Sequence, residues 1–275
     1  MSVWVSLLLG IVQGATEFLP VSSSGHLAIV GSLLDVAEMK ESLLFDVLLH
    51  IGTLGAVFAA FHRDIAELCG AFLSLFSARE RRDERGLPAR RLLLLLAVAT
   101  VPLLFAVFFE SYVSVLADDL RFVGCALVGT GVLLYIADRV KAGKKNEKTA
   151  LVSDAVMVGL MQAVAVIPGL SRSGSTIAAG LMRGFGRGFA VRFSFLMSIP
   201  AVLGAVLLEL GKAFSGGVTA AELAVYIPGM LAAGIVGYGA LVLLKRLAAK
   251  GRFGVFAVYC AAVGLVTVTL AIFFG

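Results

Sequence analysis

Glu17 and His26 stand inside an otherwise lipid-soluble stretch, Gly10 to Gly31, which reads GIVQGATEFLPVSSSGHLAIVG and also holds Gln13 and the serine run Ser22, Ser23, Ser24. A carboxylate in hydrocarbon is costly even on the most lenient insertion scales, so an acid at this depth marks a functional site by default. A variant of the stretch returns 149 residues later as Gly159 to Gly180, GLMQAVAVIPGLSRSGSTIAAG. Laid over each other without a gap, the two share Gln13 with Gln162, Ser22 with Ser171, Ser24 with Ser173 and Gly25 with Gly174. They differ where charge is concerned: Ser23 faces Arg172, Glu17 faces Val166 and His26 faces Ser175. The first copy brings an acid and an imidazole, and the second brings a cation.

Brought to one place, these groups favour a phosphorylated ligand. Arg172 can fork onto phosphate oxygens, whereas a carboxylate approaches them only through a divalent cation. Glu17 is therefore a candidate metal ligand, and Gln13, four residues back on the same helical face, points at the same place. In the second copy Ser171, Ser173, Gly174 and Ser175 offer hydroxyls and backbone N–H groups at a helix start, an anion cradle that Ser22, Ser24 and Gly25 repeat in the first. His26 can carry a proton near neutral pH, as acid or base, and Ser23 is a candidate nucleophile if His26 activates it, with water as the other candidate. Structural readings stand beside these. Glu17 and Arg172 could form a plain buried ion pair, the serines could cap helix starts, His50 reads as a polar packing group, and Asp46 has no assigned role.

The elements that must position these residues follow from apolar run length. Val3 to Leu19 stops at Pro20, and Leu27 to Leu34 is too short to cross, since spanning ~30 Å of hydrocarbon takes about 20 helical residues. The first unit therefore reads as a re-entrant hairpin with its tip at Ser22 to His26, leaving by the acidic loop Asp35 to Glu41. Leu43 to Phe61, Leu92 to Phe109 and Arg121 to Ala137 read as full spans. A second hairpin, Val152 to Met182, is expected to break at Pro168-Gly169 and at Gly174, and Phe193 to Leu210, Ala224 to Leu244 and Phe253 to Phe273 read as three more spans. Basic loops at Arg63 to Arg91, Arg139 to Lys148, Arg183 to Arg192 and Lys245 to Arg252 read as cytoplasmic orientation signals. Each half is one hairpin plus three spans, an odd number, so the second half (about 150–275) should be inverted relative to the first (about 1–140) within a single membrane domain, 1–275. Both termini and the two tips then follow: termini outside the cytoplasm, tips meeting near the midplane.

Composition sets the class. Of 275 residues 60% are hydrophobic and 15% charged, and the mean hydropathy is +1.00, against an apolar share near ~45 to 50% in soluble domains. The chain is an all-α, polytopic membrane protein. Its net charge of +5, from 23 basic and 18 acidic residues, is gathered in loops without interleaved aromatics, which speaks for anionic lipid and against nucleic acid. Cys69, Cys125 and Cys260 lie far apart in apolar surroundings and read as packing residues. The N-terminus has neither the basic flank nor the small-residue cleavage site of a removable signal.

At Q-x-x-x-E followed by FLPVSSSGH, and again at PGLSRSGST, the sequence resembles the undecaprenyl-diphosphate phosphatase family of bacteria, the bacitracin-resistance type, over nearly its whole length. The resemblance implies an inner-membrane enzyme that hydrolyses undecaprenyl diphosphate to the monophosphate, recycling a lipid carrier for peptidoglycan synthesis. It also implies Mg²⁺ or Ca²⁺ as cofactor and an active site opening toward the periplasm. Carried over, the family's acidic pair falls on Gln13 and Glu17, its serine turn on Ser22 to Ser24, its histidine on His26 and its arginine on Arg172. Gln13 stands where the family has Glu or Gln, which leaves Glu17 as the main charged metal ligand. The turn SSSGH is also similar to a motif of the type 2 phosphatidic-acid phosphatases, but the histidine and aspartate that family needs after its Ser-Arg pair are missing here. A second class, a transporter or flippase for a polyprenyl phosphate, shares the inverted repeat; an oligomer is compatible with either.

Overall fold

The computed structural model describes residues 1–34, 43–76, 86–109, 113, 115–141, 143–215 and 218–273. The acidic exit loop 35–41 and the arginines near Arg82 lie outside the described residues, as does part of the segment 110–119. The chain is all-α. Among the described residues eleven α-helices follow one another: α1 Val3–Phe18, α2 Ser23–Leu33, α3 Leu43–Ala60, α4 His62–Ser74, α5 Leu87–Ala106, α6 Leu120–Arg139, α7 Val152–Val164, α8 Arg172–Met182, α9 Arg187–Ser215, α10 Ala220–Ala249 and α11 Gly254–Phe273.

Six of these, α3, α5, α6, α9, α10 and α11, are long and apolar enough to cross a membrane, while α1 and α7 are apolar but shorter. At 16 residues, α1 is ~24 Å long, short of the hydrocarbon thickness. It ends where Pro20 pushes Leu19 out of helical geometry, to φ −64°, ψ 145°. Apolar side chains such as Leu207, Ile235, Val258 and Phe273 face outward, as a lipid-facing surface requires.

Several boundaries differ from the sequence reading; α9 begins at Arg187 and not at Phe193, and α10 runs Ala220–Ala249 where Ala224 to Leu244 was expected, so both take in residues read as basic loop. Gly25 and Gly174 lie inside α2 and α8, each in the first helical turn, and do not break the chain; the second hairpin turns over residues 165–171 only. The stretch taken as a loop from Arg63 contains α4, whose HRDIAELCGAFLS pattern is amphipathic, and α5 begins at Leu87, five residues early. Nor do the basic loops serve orientation alone. The Asp154 carboxylate, fully buried, takes Lys145 at 2.7 Å and Arg183 at 2.8 Å, while Arg192 holds Asp64 at 2.5 Å and Glu147 at 3.6 Å. The backbone N–H of Lys145 donates to Gly184 and that of Gly186 to Lys145, and that of Phe253 donates to the Asp138 carboxylate. These links gather the connections after α3, α6, α8 and α10 at one end of the bundle.

Packing repeats across the two halves. Helix α1 packs on α10 and α7 on α5; α3 touches α10 and α9 touches α5; α6 lies on α11 and α3 on α9. Exchanging the halves maps these six contacts onto one another, although others have no counterpart among the described residues: α8 packs on α6 and α9, whereas α2 makes no comparable contact with α11 or α3.

The contact of α1 and α3 with α10 is built on glycine. A Cβ on Gly10 would run into the Gly229 carbonyl, and one on Gly52 into the Met230 carbonyl, whereas a Cβ on Gly55 would meet nothing within 4 Å. Overpacking costs roughly 1–3 kcal/mol, more where the obstacle is backbone. Gly10→Ala and Gly52→Ala should therefore each lower the unfolding temperature in detergent by several degrees, while Gly55→Ala leaves it unchanged. Thermal unfolding of the three purified variants checks this.

Candidate active site

Both hairpins cap their second helix the same way. Ser22 caps α2 by accepting from the Gly25 N–H at 3.3 Å, and Ser171 caps α8 by accepting from the Gly174 N–H at 3.0 Å. Each cap serine also lies 3.3 Å from the serine two residues on, Ser24 or Ser173. The tips touch: Ser173 Oγ donates to the Leu19 carbonyl at 3.2 Å and the Gly169 N–H to Ser24 Oγ at 3.5 Å. Thr130 of α6 steadies the second tip, donating to the Gly169 carbonyl and accepting from the Ser171 N–H.

Where the tips meet, the Arg172 guanidinium closes on Glu17 Oε1. The other carboxylate oxygen accepts from Ser23 Oγ at 2.6 Å and from Gln13 Nε2 at 3.1 Å. Glu17 is thus held by a cation, a hydroxyl and an amide, which together offset the desolvation of its charge. A cavity of about 280 Å³ opens on this cluster, lined by Glu17, Ser22, Ser23, Ser24, Ser171 and Arg172, with His50 and Gln162 in its wall.

The predicted residues are therefore brought together in part. Glu17, Ser22, Ser23, Ser24, Ser171 and Arg172 share the cavity. Gln13 lies behind Glu17, completely buried. Gly25, Ser173, Gly174 and Ser175 are not in the cavity lining; the Gly25 and Gly174 amides are engaged by the cap serines, and the Ser175 amide donates to the Ser171 carbonyl. His26 also lies outside the lining, and its ring nitrogens are at 2.7 Å from the Ser22 carbonyl and 2.8 Å from the Tyr259 hydroxyl. The imidazole in the cavity wall is His50, whose Nδ1 donates to the Asp46 carbonyl at 2.9 Å and lies 3.7 Å from the Asp46 carboxylate. Its signal in the sequence was the spacing Asp46-x-x-x-His50, one helical face carrying an acid and an imidazole inside an apolar span. Gln162, the repeat partner of Gln13, is buried with neither amide atom hydrogen-bonded, and Gln13 Oε1 is likewise unpartnered.

The donor set bears on a metal. Among the described residues no three His, Cys, Asp or Glu side chains gather as a metal cage. Mg²⁺, however, is commonly bound by one or two carboxylates with substrate phosphates and water completing its shell. The Glu17 carboxylate, which lines the cavity, fits a site of that shared kind, while Gln13 lies behind it outside the lining with its Oε1 buried and unpartnered.

Short hairpins that fold back inside a bundle of membrane spans, with an arginine and a carboxylate at their joined tips, define an integral membrane protein with a polar cluster among its spans. The sequence comparisons agree with that class and go further. The family described as bacitracin resistance protein BacA matches residues 6–266, and the chain belongs to that family. It is similar to proteins named undecaprenyl-diphosphatase: 42% identical over 265 residues to one from Desulfosudis oleivorans, covering 95% of this chain and 96% of the relative, and 41% identical over 272 residues to one from Methanobrevibacter smithii, covering 97% and 96%.

Removing one partner of a buried ion pair leaves the other charge stranded, at a cost of about 3 to 5 kcal/mol. With the Arg172 side chain 28% exposed, the lower end of that range applies. Arg172→Leu alone should lower the unfolding temperature clearly, and adding Glu17→Leu should recover much of the loss. A double-mutant cycle by thermal unfolding in detergent measures this coupling.

Proposed function

We propose that the protein hydrolyses undecaprenyl diphosphate to undecaprenyl phosphate and inorganic phosphate, and that the joined hairpin tips are the active site. One observation carries the reading: the Ser23 hydroxyl donates to the Glu17 carboxylate at 2.6 Å inside the same cavity that Arg172 lines. A hydroxyl already hydrogen-bonded to a carboxylate is an activated nucleophile. Ser23 Oγ attacks the terminal phosphorus while Glu17 takes its proton, and the bond from phosphorus to the bridging oxygen breaks, releasing the lipid monophosphate. Water then attacks the phosphoserine phosphorus; as the bond from phosphorus to Ser23 Oγ breaks, Glu17 gives its proton back to that oxygen, and inorganic phosphate leaves carrying the protons of the water.

Arg172 leaves Glu17 for the phosphate oxygens when substrate enters, so that its fork follows the negative charge as it spreads during transfer. This exchange is what turns a resting ion pair into a phosphate clamp. Glu17, together with the substrate's own phosphates, would hold a divalent cation, Mg²⁺ or Ca²⁺. Such an ion would screen the carboxylate from the diphosphate and stabilise charge on the phosphoryl oxygens.

The polar tips lie away from the end where the basic connections gather. We take that end as the cytoplasmic one by the positive-inside rule, a reading that favours a cytoplasmic-membrane protein whose site is reached from the opposite, periplasmic face. The activity then returns a spent carrier lipid to the monophosphate form used in envelope synthesis. Transport of a polyprenyl phosphate is the second reading, supported by the main helix contacts that survive exchange of the halves. It gives no reason for the Ser23 to Glu17 contact, which belongs to one half only.

Phosphate release from a long-chain polyprenyl diphosphate by the purified protein in detergent tests the proposal. Excess chelator should abolish release and Mg²⁺ or Ca²⁺ should restore it; full activity in chelator would remove the metal from the account. Ser23→Ala and Glu17→Gln should each lose ~10² to 10³ in turnover, the usual scale for one preorganised group at a reacting centre. Arg172→Lys keeps the charge but loses the fork, and should fold normally while losing most of its turnover. Near-wild-type turnover in the Lys variant would return Arg172 to a purely structural role.

A further inference from the structure

Ser22 is the one non-glycine residue among those described with a positive φ, at φ 69° and ψ 99°. A side-chain-bearing residue in such a sparsely populated region costs on the order of 1–3 kcal/mol and persists only where its surroundings hold it. The repeat supplies an internal comparison. Ser171, in the same place in the second hairpin, has an ordinary φ of −73° and ψ of 118°. Four residues after Ser171 stands Ser175, whereas four after Ser22 stands His26. The strained backbone and the imidazole occur together, in the hairpin whose next residue is the proposed nucleophile.

The imidazole grips the strained residue directly. His26 Nδ1 lies 2.7 Å from the Ser22 carbonyl oxygen, and the His26 backbone N–H donates to the same oxygen at 3.2 Å. A carbonyl oxygen only accepts, so Nδ1 carries the hydrogen. In the neutral ring Nε2 is then the acceptor, and the Tyr259 hydroxyl, 2.8 Å away on α11, is its donor. The two rings lie parallel, 5.6 Å between centroids and 5° between planes. Both ring nitrogens are thereby engaged, and His26 is not in the cavity wall.

Resting on the reading of Ser23 as nucleophile, we infer that His26 and Tyr259 are a positioning pair: Tyr259 fixes the tautomer of His26, and His26 holds Ser22 in the strained conformation that turns Ser23 Oγ onto Glu17. His26 then contributes a hydrogen bond from Nδ1 and no proton to the reaction. The brace also explains why the two tips could diverge. Without strain at Ser171, the following side chain is free to be the long Arg172; with it, the short Ser23 hydroxyl is brought to 2.6 Å from Glu17.

Isosteric replacement separates this role from proton transfer. An asparagine at position 26 places an amide N–H near Nδ1, a glutamine places one near Nε2, and neither titrates. His26→Asn should keep turnover within about five-fold of wild type with an unchanged pH profile. His26→Gln and His26→Ala should lose roughly 10² in kcat with KM little altered, the scale of misplacing a reacting group by about 1 Å. Tyr259→Phe keeps the ring and removes only the hydroxyl, and should lower kcat about two- to ten-fold, the equivalent of one net hydrogen bond. The inference is overturned if His26→Asn is as inactive as His26→Ala at wild-type unfolding temperature, or loses a limb of the pH profile. Should the His26 variants fail to fold, Tyr259→Phe decides: reduced kcat at unchanged KM supports the pair, and wild-type kcat overturns it. Ser23→Ala run alongside keeps the two readings apart, because wild-type turnover there would remove the nucleophile assignment whatever the His26 series shows.

Discussion

The contact between Arg172 and Glu17 is the constraint on which the rest of the structure depends. Each side chain belongs to a different hairpin, and neither can be left alone in a hydrocarbon-depth interior, where an uncompensated charge costs several kcal/mol. Their need for each other draws the two tips together. The hairpins can meet only if they stop short of spanning, which Pro20 enforces in the first and the turn over 165–171 in the second. Irregular backbone at that depth survives because protein encloses it: Thr130 satisfies the second tip and the cap serines satisfy both helix starts. The same contact that closes the fold presents a carboxylate, a guanidinium and a serine hydroxyl to one cavity. A buried ion pair is weak evidence for stability in itself; under the proposed function its value lies in being exchanged for an anionic headgroup.

Duplication with divergence accounts for the chemistry. One cap, a serine accepting from the glycine amide three residues on, is used twice. The residue after the cap serine is then Ser23 in one copy and Arg172 in the other; under the proposed function these are the nucleophile and the phosphate clamp. The main contacts between the halves, such as the glycine-mediated one of α1 on α10, have counterparts when the halves are exchanged, while the tips differ in the side chains they present. A scaffold whose main contacts exchange thus carries two unlike tips, which the proposed function uses as attacking and charge-binding groups.

Much of this was legible in the sequence because membrane chains obey few rules strictly. The six spans follow from run length, and the two hairpins from runs too short to cross. The repeat announces itself in Gln13/Gln162 and in the two Ser-x-x-Gly caps. Helix α4 was missed because its charges, read for orientation, hid an amphipathic period of 3.6. Asp154 was overlooked because an acid near a basic loop looks solvated until Lys145 and Arg183 are seen to bury it. Residue type pointed to His26 as the site's imidazole, but direction is a property of the backbone: the positive φ at Ser22 and the position of Tyr259, 233 residues away, send that ring away from the cavity. His50, one helix over, faces it instead. Linear spacing gives what a residue can do, and the fold gives what it can reach.

The central claim is that substrate takes Arg172 from Glu17 and places its terminal phosphorus before Ser23. The most direct measurement is an experimental structure of the protein in lipid or detergent with a polyprenyl diphosphate analogue whose bridging oxygen is replaced by a methylene group, which binds without turning over. The account predicts the headgroup in the cavity lined by Ser23, Ser171 and Arg172, the guanidinium on its terminal phosphate oxygens, and Ser23 Oγ in line with the methylene bridge. A headgroup bound elsewhere, with Arg172 still closed on Glu17, would contradict it.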